Sequence, residues 1–499
     1  MGLFSLLVIA SAFISFISFA PFKFEWLIFI ALVPIFFNLD RIKTSNLSRV
    51  SKLKQISLTG FIYGITYMSL TNLWTFELIE FSSTLEITIL FIVYTLLQTL
   101  FYCFIFFFFG YFNSSLGIFA CYWVIFEYLK CLGPFGSPNG ILGYSLSNNY
   151  MSEFASYLGV YFLSFIIIMV NFLLYKIIRN GFARKNINIQ FGFVICLIII
   201  LLLPKVVTLS PVDSNKSINV GLIQVNHPIS YKLIAKNRRA IRNDYISLSK
   251  HALTFSELDL IIWPETITAS ENLKFPLFMS QVNTLSTNNN TGFLFGTPRK
   301  HLNKYYNSAA LVLNNSIRFY DKNYLMPFGE YWPAKKAFKL FKLDNIIPGS
   351  EFSRGNNQST FTLKSIKIGV GICLETTMGF FYRQYAQENV DVLVSLVNNG
   401  WFKTSSIAAR QLQMLQIRAI ETGLPILQSS NMGFTCIVGP KGNIIKSLPQ
   451  FDQSYLTHNL NLTKIKTLYT TVGDSVVLFS CLLILLNYII LKIKRISIS

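Results

Sequence analysis

Long apolar runs lie at both ends of this chain, and one long polar stretch separates the last two of them. That arrangement constrains the fold more than any motif does. The runs fall near residues 3–20, 24–39, 57–76, 87–109, 115–130, 154–175, 191–208 and 473–491. Each approaches the ~20 residues needed to cross a bilayer's hydrocarbon core. The expectation is a helical membrane domain of about eight spans. Only 13% of residues are charged and 52% are hydrophobic, against ~25% charged in an average soluble domain. Such a chain is neither soluble throughout nor disordered, since disorder needs low hydrophobicity and high charge density. No Lys or Arg precedes Lys23, so residues 1–20 lack the basic flank of a signal peptide and read as a span or half of a hairpin around Pro21.

Loop charge sets the expected orientation. Arg41, Lys43, Arg49, Lys52 and Lys54 follow the second run; Lys176, Arg179, Arg184 and Lys185 follow the sixth; Lys492, Lys494 and Arg495 end the chain. These three places share one side if every run crosses. Glu77, Glu80 and Glu86 follow the third run, without Lys or Arg. Both termini are then cytoplasmic, and the polar stretch lies outside the cytoplasm. The expected organisation is a membrane domain over 1–208, a polar domain over 209–472 and a last span with a basic tail over 473–499. The net charge of +20 suits anionic lipid headgroups better than nucleic acid in so apolar a chain.

The hydrophobic period changes within the polar stretch. Ile218–Val225, Leu258–Trp263, Gly292–Gly296, Ser308–Leu313, Ile366–Ile372, Val390–Val397, Pro425–Gln428 and Phe434–Gly439 read as strands. Helical patterns occupy 233–254, 376–388 and 405–422, which predicts an α/β domain. The Gly-Pro-Lys-Gly turn at 439–442 predicts some antiparallel pairing. Seven cysteines and four histidines are scattered, with neither a disulfide framework nor metal-ligand spacing. Glycine-rich nucleotide loops and the GxSxG and HExxH signatures are absent from the sequence.

Three strand ends carry reactive groups. Trp263-Pro264-Glu265 places a carboxylate after a buried strand, where α/β sites lie. Lys322 follows a hydrophobic hairpin. Cys373 ends the strand from Ile366, with Glu375 two residues on. Singly, each has an ordinary structural explanation: a solvated cap, a surface charge, a small buried residue. In the order Glu265, Lys322, Cys373 they resemble the nitrilase, or carbon–nitrogen hydrolase, superfamily, whose triad has that order. Pro327–Glu330, Asn398–Phe402 and Arg418–Glu421 extend the match. The membrane-embedded branch, the apolipoprotein N-acyltransferases, resembles the chain over nearly its whole length. Ala20–Phe22, Trp26, Ala31–Pro34, Trp74, Pro134–Gly136, Gly143–Ser145, Gln224–Asn226 and Tyr320–Pro333 carry that resemblance.

The resemblance implies an α-β-β-α sandwich facing the periplasm of a bacterial inner membrane, monomeric, without metal or cofactor. It implies transfer of an acyl chain from a phospholipid, phosphatidylethanolamine being the expected donor, to the α-amino group of the diacylglyceryl-cysteine of an apolipoprotein. Cys373 would be the nucleophile, Glu265 the base, and Lys322 the group that lowers the thiol pKa and stabilises the oxyanion. Glu330 and Glu375 would support them. Trp401, Asn399, Phe338 and Phe341 would contact substrate, with the basic, aromatic segment 333–343 as an arm dipping into the bilayer. Lys232–Arg242 reads as a solvated basic face, or alternatively as a headgroup contact. Leu374 and Asn399 depart from the branch's usual Tyr and Asp. Two alternatives stay open: a membrane-tethered amidase using water as acceptor, and a catalytically silent lipoprotein-binding relative.

Overall fold

The structure is a computed structural model that describes residues 2–133, 136–180, 192, 195, 211–212, 216–327, 329–331, 351–356 and 358–496. The chain divides into two compact units, 1–76 with 84–208 and 472–499, and 77–83 with 209–471.

The first unit is helical. Among the described residues, three helices are long and apolar enough to cross a membrane: Thr84–Tyr111, Val160–Asn180 and Ser475–Ile493. Of the expected span at 191–208, all but residues 192 and 195 lie outside the described residues. The other expected spans are shorter or more polar than the apolar runs suggest. Helix Leu3–Ile17 has 15 residues and Phe119–Lys130 has 12, about 22 and 18 Å at the helical rise, short of a ~30 Å core. Arg49–Thr71 is long enough but begins with Arg49, Lys52 and Lys54. The second apolar run is broken at Leu32 into Ile28–Ala31 and Val33–Thr44. Asn171 satisfies that break: its Oδ1 accepts from Leu32 N at 2.8 Å and its Nδ2 donates to Ile28 O at 2.9 Å. Interrupted backbone in an apolar layer needs such a partner. Gly60 and Gly64, one turn apart, bring helix Arg49–Thr71 against Phe106 and Tyr102 of Thr84–Tyr111, the small-residue packing common between membrane helices.

The second unit is a β-sandwich with helices outside. One six-stranded sheet runs β13-β2-β3-β4-β5-β6, the other β12-β11-β10-β9-β8-β7. The first comprises β2 (Ser217–Gln224), β3 (Leu260–Ile262), β4 (Gly292–His301), β5 (Lys304–Leu313), β6 (Ser316–Asp321) and β13 (Ser454–Asn461). The second comprises β7 (Thr360–Leu363), β8 (Ile366–Ile372), β9 (Val392–Asn398), β10 (Ile426–Asn431), β11 (Cys436–Val438) and β12 (Ile444–Ser447). A two-stranded ribbon, β1 (Pro211–Val212) with β14 (Lys464–Ile465), lies apart.

Each strand read from the sequence has a counterpart, and the Gly439–Gly442 turn joins antiparallel β11 and β12. The reading missed β6, β7, β13 and helix Pro276–Asn289. The first three are short or polar edge-side segments, such as Ser454–Asn461, whose alternation is weak. The helix Pro276–Asn289 is largely polar, with only Phe278, Met279, Val282 and Ser286 buried.

The period of two along β8 shows how the layers form. Ile368, Val370 and Ile372 share the inter-sheet core with Val220, Leu222 and Ile262. Gly369 and Gly371 lie on the other face, against the rings of Tyr385 and Tyr382 from helix Gly379–Gln387. A Cβ on Gly369 would sit 2.7 Å from Tyr385, so glycine here admits close helix packing. A second core, around Trp263, Tyr245, Phe278, Phe293 and Phe295, joins the first sheet to helices Arg238–Phe255 and Pro276–Asn289.

Candidate active site

The parallel strands β3, β8 and β9 deliver functional groups at their C-terminal ends, and the antiparallel β6 delivers a fourth. Trp263 anchors the first. It is fully buried, and its Nε1 donates to Ser249 Oγ at 2.9 Å. Glu265 follows two residues later. Gly296 of β4 makes room for that turn, since a Cβ there would lie 2.6 Å from Glu265 Cα.

Lys322 leaves the end of β6. Its backbone N donates to Asn307 O at 2.9 Å, and its O accepts from Gly355 N at 2.9 Å. Its ammonium is buried, 2.8 Å from Glu330 Oε2 and 3.6 Å from Glu265 Oε1. Asn307 holds both carboxylates: its Nδ2 donates to Glu265 Oε1 at 2.8 Å and to Glu330 Oε1 at 2.6 Å. Met326 N donates to Glu330 Oε2 at 2.6 Å. The second Glu265 oxygen accepts from Asn398 N, at the end of β9, at 3.1 Å. One ammonium, two carboxylates and one amide thus form a buried network in which the charges are paired, as burial of charge requires.

Cys373 opens a short 3-10 turn, Cys373–Thr377, directly after β8. Its φ is +51°, a left-handed conformation that costs a non-glycine residue about 1–3 kcal/mol and clusters at functional sites. The Leu374 N–H faces the sulfur, and Glu265 and Lys322 lie within electrostatic reach of it. Burial pushes the thiol well above its ordinary range, Glu265 adds to that, and Lys322 pulls it back without prevailing. The resting sulfur is therefore a thiol. Burial alone would lower Lys322, but Glu330, Glu265 and Cys373 outweigh it and hold the side chain as an ammonium. Burial, opposed by Lys322, raises Glu265 above the usual carboxylate value, and Glu330 adds to the rise.

Glu375 clamps two loops together. Its Oε1 accepts from Tyr320 Oη (2.7 Å), Asn323 N (2.6 Å) and Tyr324 N (3.0 Å), and its Oε2 accepts from Ile372 N (2.9 Å). The loop carrying Lys322 and the turn carrying Cys373 thus share one buried anion. Burial pushes that carboxyl up to about 7, against Lys322 and the hydrogen bonds from Tyr320, Ile372 and Tyr324. Glu375→Ala would leave these donors unsatisfied, at about 1–3 kcal/mol for each one left buried. The expected result is a melting transition lowered by several degrees together with lost activity, measured by thermal unfolding in detergent. An unchanged melting point would show that the clamp is not needed.

The structure brings Glu265, Lys322, Cys373, Glu330 and Glu375 together. Trp401 lies on the turn Asn399–Phe402, half-buried, with its ring edge-on to Phe81 at 4.9 Å. Beside it Lys403 pairs with Glu80 at 2.8 Å. The loop Glu77–Ser83 therefore belongs with the catalytic unit, which the sequence reading had assigned wholly to the membrane domain. Asn399 is buried against Gly433, while its neighbour Asn398 makes the contact to Glu265. Phe338 and Phe341, with the segment 333–343, lie outside the described residues. Sequence reasoning missed Asn307 and Asn398. Their one signal is a polar residue at the end of an otherwise apolar strand, Asn307 before Ser308–Leu313 and Asn398 after Val390–Val397. It also read Lys232 as part of a solvated face, but Lys232 is buried, on the same side of its short helix as Ile229.

This arrangement can acylate a thiol. A buried carboxylate can take the sulfur's proton, and a fixed ammonium can meet the oxyanion that follows. Comparisons with known proteins show the family. Residues 219–469 match the carbon–nitrogen hydrolase family, and residues 11–173 match the apolipoprotein N-acyltransferase N-terminal domain. The apolipoprotein N-acyltransferase of Shewanella oneidensis is 26% identical, over 76% of this chain and 74% of that one. That of Geobacter metallireducens is 28% identical, over 72% and 71%. Apolipoprotein N-acyltransferase 1 of Treponema denticola is 25% identical, over 95% and 92%. With the hydrolase domain and the N-terminal domain matched together, the chain belongs to the carbon–nitrogen hydrolase family, in its apolipoprotein N-acyltransferase branch.

Proposed function

We propose that this membrane enzyme moves a fatty acyl chain from a phospholipid to the α-amino group of an apolipoprotein's diacylglyceryl-cysteine, through a thioester on Cys373. The observation that carries the reading is the buried Glu265–Lys322–Glu330 network beside a cysteine held in a left-handed turn. In the first half-reaction Glu265 takes the thiol proton as Sγ attacks the ester carbonyl carbon. The Lys322 ammonium stabilises the tetrahedral oxyanion. The ester C–O bond breaks, Glu265 returns the proton to the departing glycerol oxygen, and a lysophospholipid leaves. In the second, the neutral α-amine attacks the thioester carbonyl, Glu265 accepts its proton, and the C–S bond breaks. The proton returns to sulfur and an amide remains. The thioester conserves the acyl energy, so the scheme uses no nucleotide.

Phosphatidylethanolamine is the proposed donor, and a monomer the proposed working form. The basic residues of the sequence segments 41–54 and 176–185 and of the C-terminal end support cytoplasmic termini in a bacterial inner membrane, with the catalytic unit in the periplasm. Eight spans remain the proposed topology, with 191–208 as the seventh. Glu330 is proposed to hold and charge Lys322, Glu375 to join the Lys322 loop to the nucleophile turn, and Trp401 and Asn399, with Phe338 and Phe341, to line the substrate path.

The test is a two-step reaction in detergent. Phosphatidylethanolamine should give a hydroxylamine-labile acyl adduct by intact mass, and a diacylglyceryl-cysteine peptide should then discharge it and gain one amide-linked chain. Discharge by water with no acylated peptide would favour the amidase. No adduct with any ester would favour the silent relative.

A further inference from the structure

Glu265 has two lysines within electrostatic reach, Lys322 and Lys232, and the scheme above uses only the first. Lys232 sits on the short helix Ile229–Leu233, just after β2. Its side chain is 3% exposed, and its Nζ has no hydrogen-bond partner among the described residues. The helix is tied to the same network as the catalytic carboxylate. Asn431 accepts from His227 N at 3.0 Å through Oδ1, and its Nδ2 donates to His227 O at 2.8 Å and to Asn398 Oδ1 at 3.0 Å. Asn398 N in turn donates to Glu265. Ile229, one helical turn before Lys232, packs where a Cβ on Gly400 would lie, 3.0 Å away. The position of Lys232 beside the site is therefore built, not incidental.

An unpaired buried ammonium is costly unless something comes to pair with it. Burial pulls Lys232 down to about 7, although Glu265 favours its charge, so an arriving anion would restore the full charge. Among the described residues, Lys322 is committed to Glu330 and Glu265, and Lys403 to Glu80. Glu265, Glu330 and Glu375 would otherwise repel an anionic substrate. Of the two lipids in the proposed reaction, the donor carries an obligate negative charge, its phosphodiester, only a few bonds from the reacting ester. The acceptor's reacting end carries an amine and offers a lysine no anion to pair with.

We propose that Lys232 binds the phosphodiester of the phospholipid acyl donor, making it the residue that selects a phospholipid over a neutral ester in the loading half-reaction. This rests on the thioester reading, and the experiment separates the two. Full-length wild type, Lys232→Gln and Lys232→Met would be loaded in the same micelles with phosphatidylethanolamine or with uncharged p-nitrophenyl palmitate. Adduct formation would be followed by mass, with Cys373→Ala as the blank. The expected result is a fall of about ten-fold or more in the ratio of phospholipid to neutral-ester loading rates, the size of one charge-assisted contact. A ratio within about twofold of wild type would overturn the proposal: if both rates fell together Lys232 would act through Glu265 or through folding, and if neither fell it would have no part in loading. On the wild-type enzyme, a diether phospholipid should compete with the neutral ester about ten-fold more strongly than the same diether glycerol without phosphate. Equal competition would also overturn it. No wild-type adduct from either donor would remove the thioester reading and this role with it.

Discussion

Cys373→Ala is expected to abolish acyl loading, with transfer falling by at least about 10,000-fold. The reason is positional as well as chemical. The nucleophile sits at a left-handed turn between β8 and a 3-10 turn, with its thiol facing a paired carboxylate and ammonium. Among the described residues the other free cysteines are Cys103, Cys121, Cys131, Cys436 and Cys481. None lies in this network, and Cys436 is wholly buried in the sandwich core. Intact mass before and after hydroxylamine checks the prediction. The wild type should gain and lose one acyl chain while the variant stays at its apo mass. A labile adduct of equal yield on the variant would move the nucleophile elsewhere.

Glu265→Gln is expected to slow both half-reactions by about 100- to 10,000-fold, the usual range for general acid–base catalysis. The amide keeps the shape and can still accept from Asn307 or Asn398, so folding should survive. What it loses is basicity. Burial, the largest influence on the Cys373 thiol, and Glu330 both raise it and both remain in the variant, so no ready thiolate is expected to bypass the missing base. The pH dependence follows from the same facts. Burial raises the Glu265 pKa above its ordinary value, with Lys322 opposing, and the base works only when ionised. Wild-type loading should therefore rise with pH as this carboxyl deprotonates, and the variant should lose that limb. Loading by Glu265→Gln at wild-type rate and with the same rising limb would assign the base to another group, Glu330 being the nearest by its bond to Lys322.

Much of the chemistry was legible before the fold. Glu265, Lys322 and Cys373 each follow a strand, and strand ends are where α/β folds collect functional groups. The apolar strands were legible for a related reason, since a strand buried on both faces shows as an unbroken run, as in Val392–Asn398. Edge strands such as Ser454–Asn461 were not, because one-sided burial leaves a weak pattern. Spans were harder still. Hydropathy counts apolar residues but does not see where a helix breaks, and the break at Leu32 depends on Asn171, far along the chain.

The sequence by itself determined that an apolar helical domain accompanies a polar α/β domain, and that a glutamate, a lysine and a cysteine lie at three strand ends. Both follow from local patterns: hydrophobic period, loop charge, and residue order along one chain. Only the tertiary structure decided the electrostatics. Burial works against the Lys322 ammonium, but Glu330, Glu265 and Cys373 outweigh it; burial and Glu265 raise the Cys373 thiol against Lys322, and those neighbours come from separate strands and loops. Asn307 and Asn398 became partners of Glu265, Glu375 a clamp between two loops, and Lys232 a buried cation for the same reason. Charge energetics depend on distance and on exclusion of water, and neither is written in the order of residues.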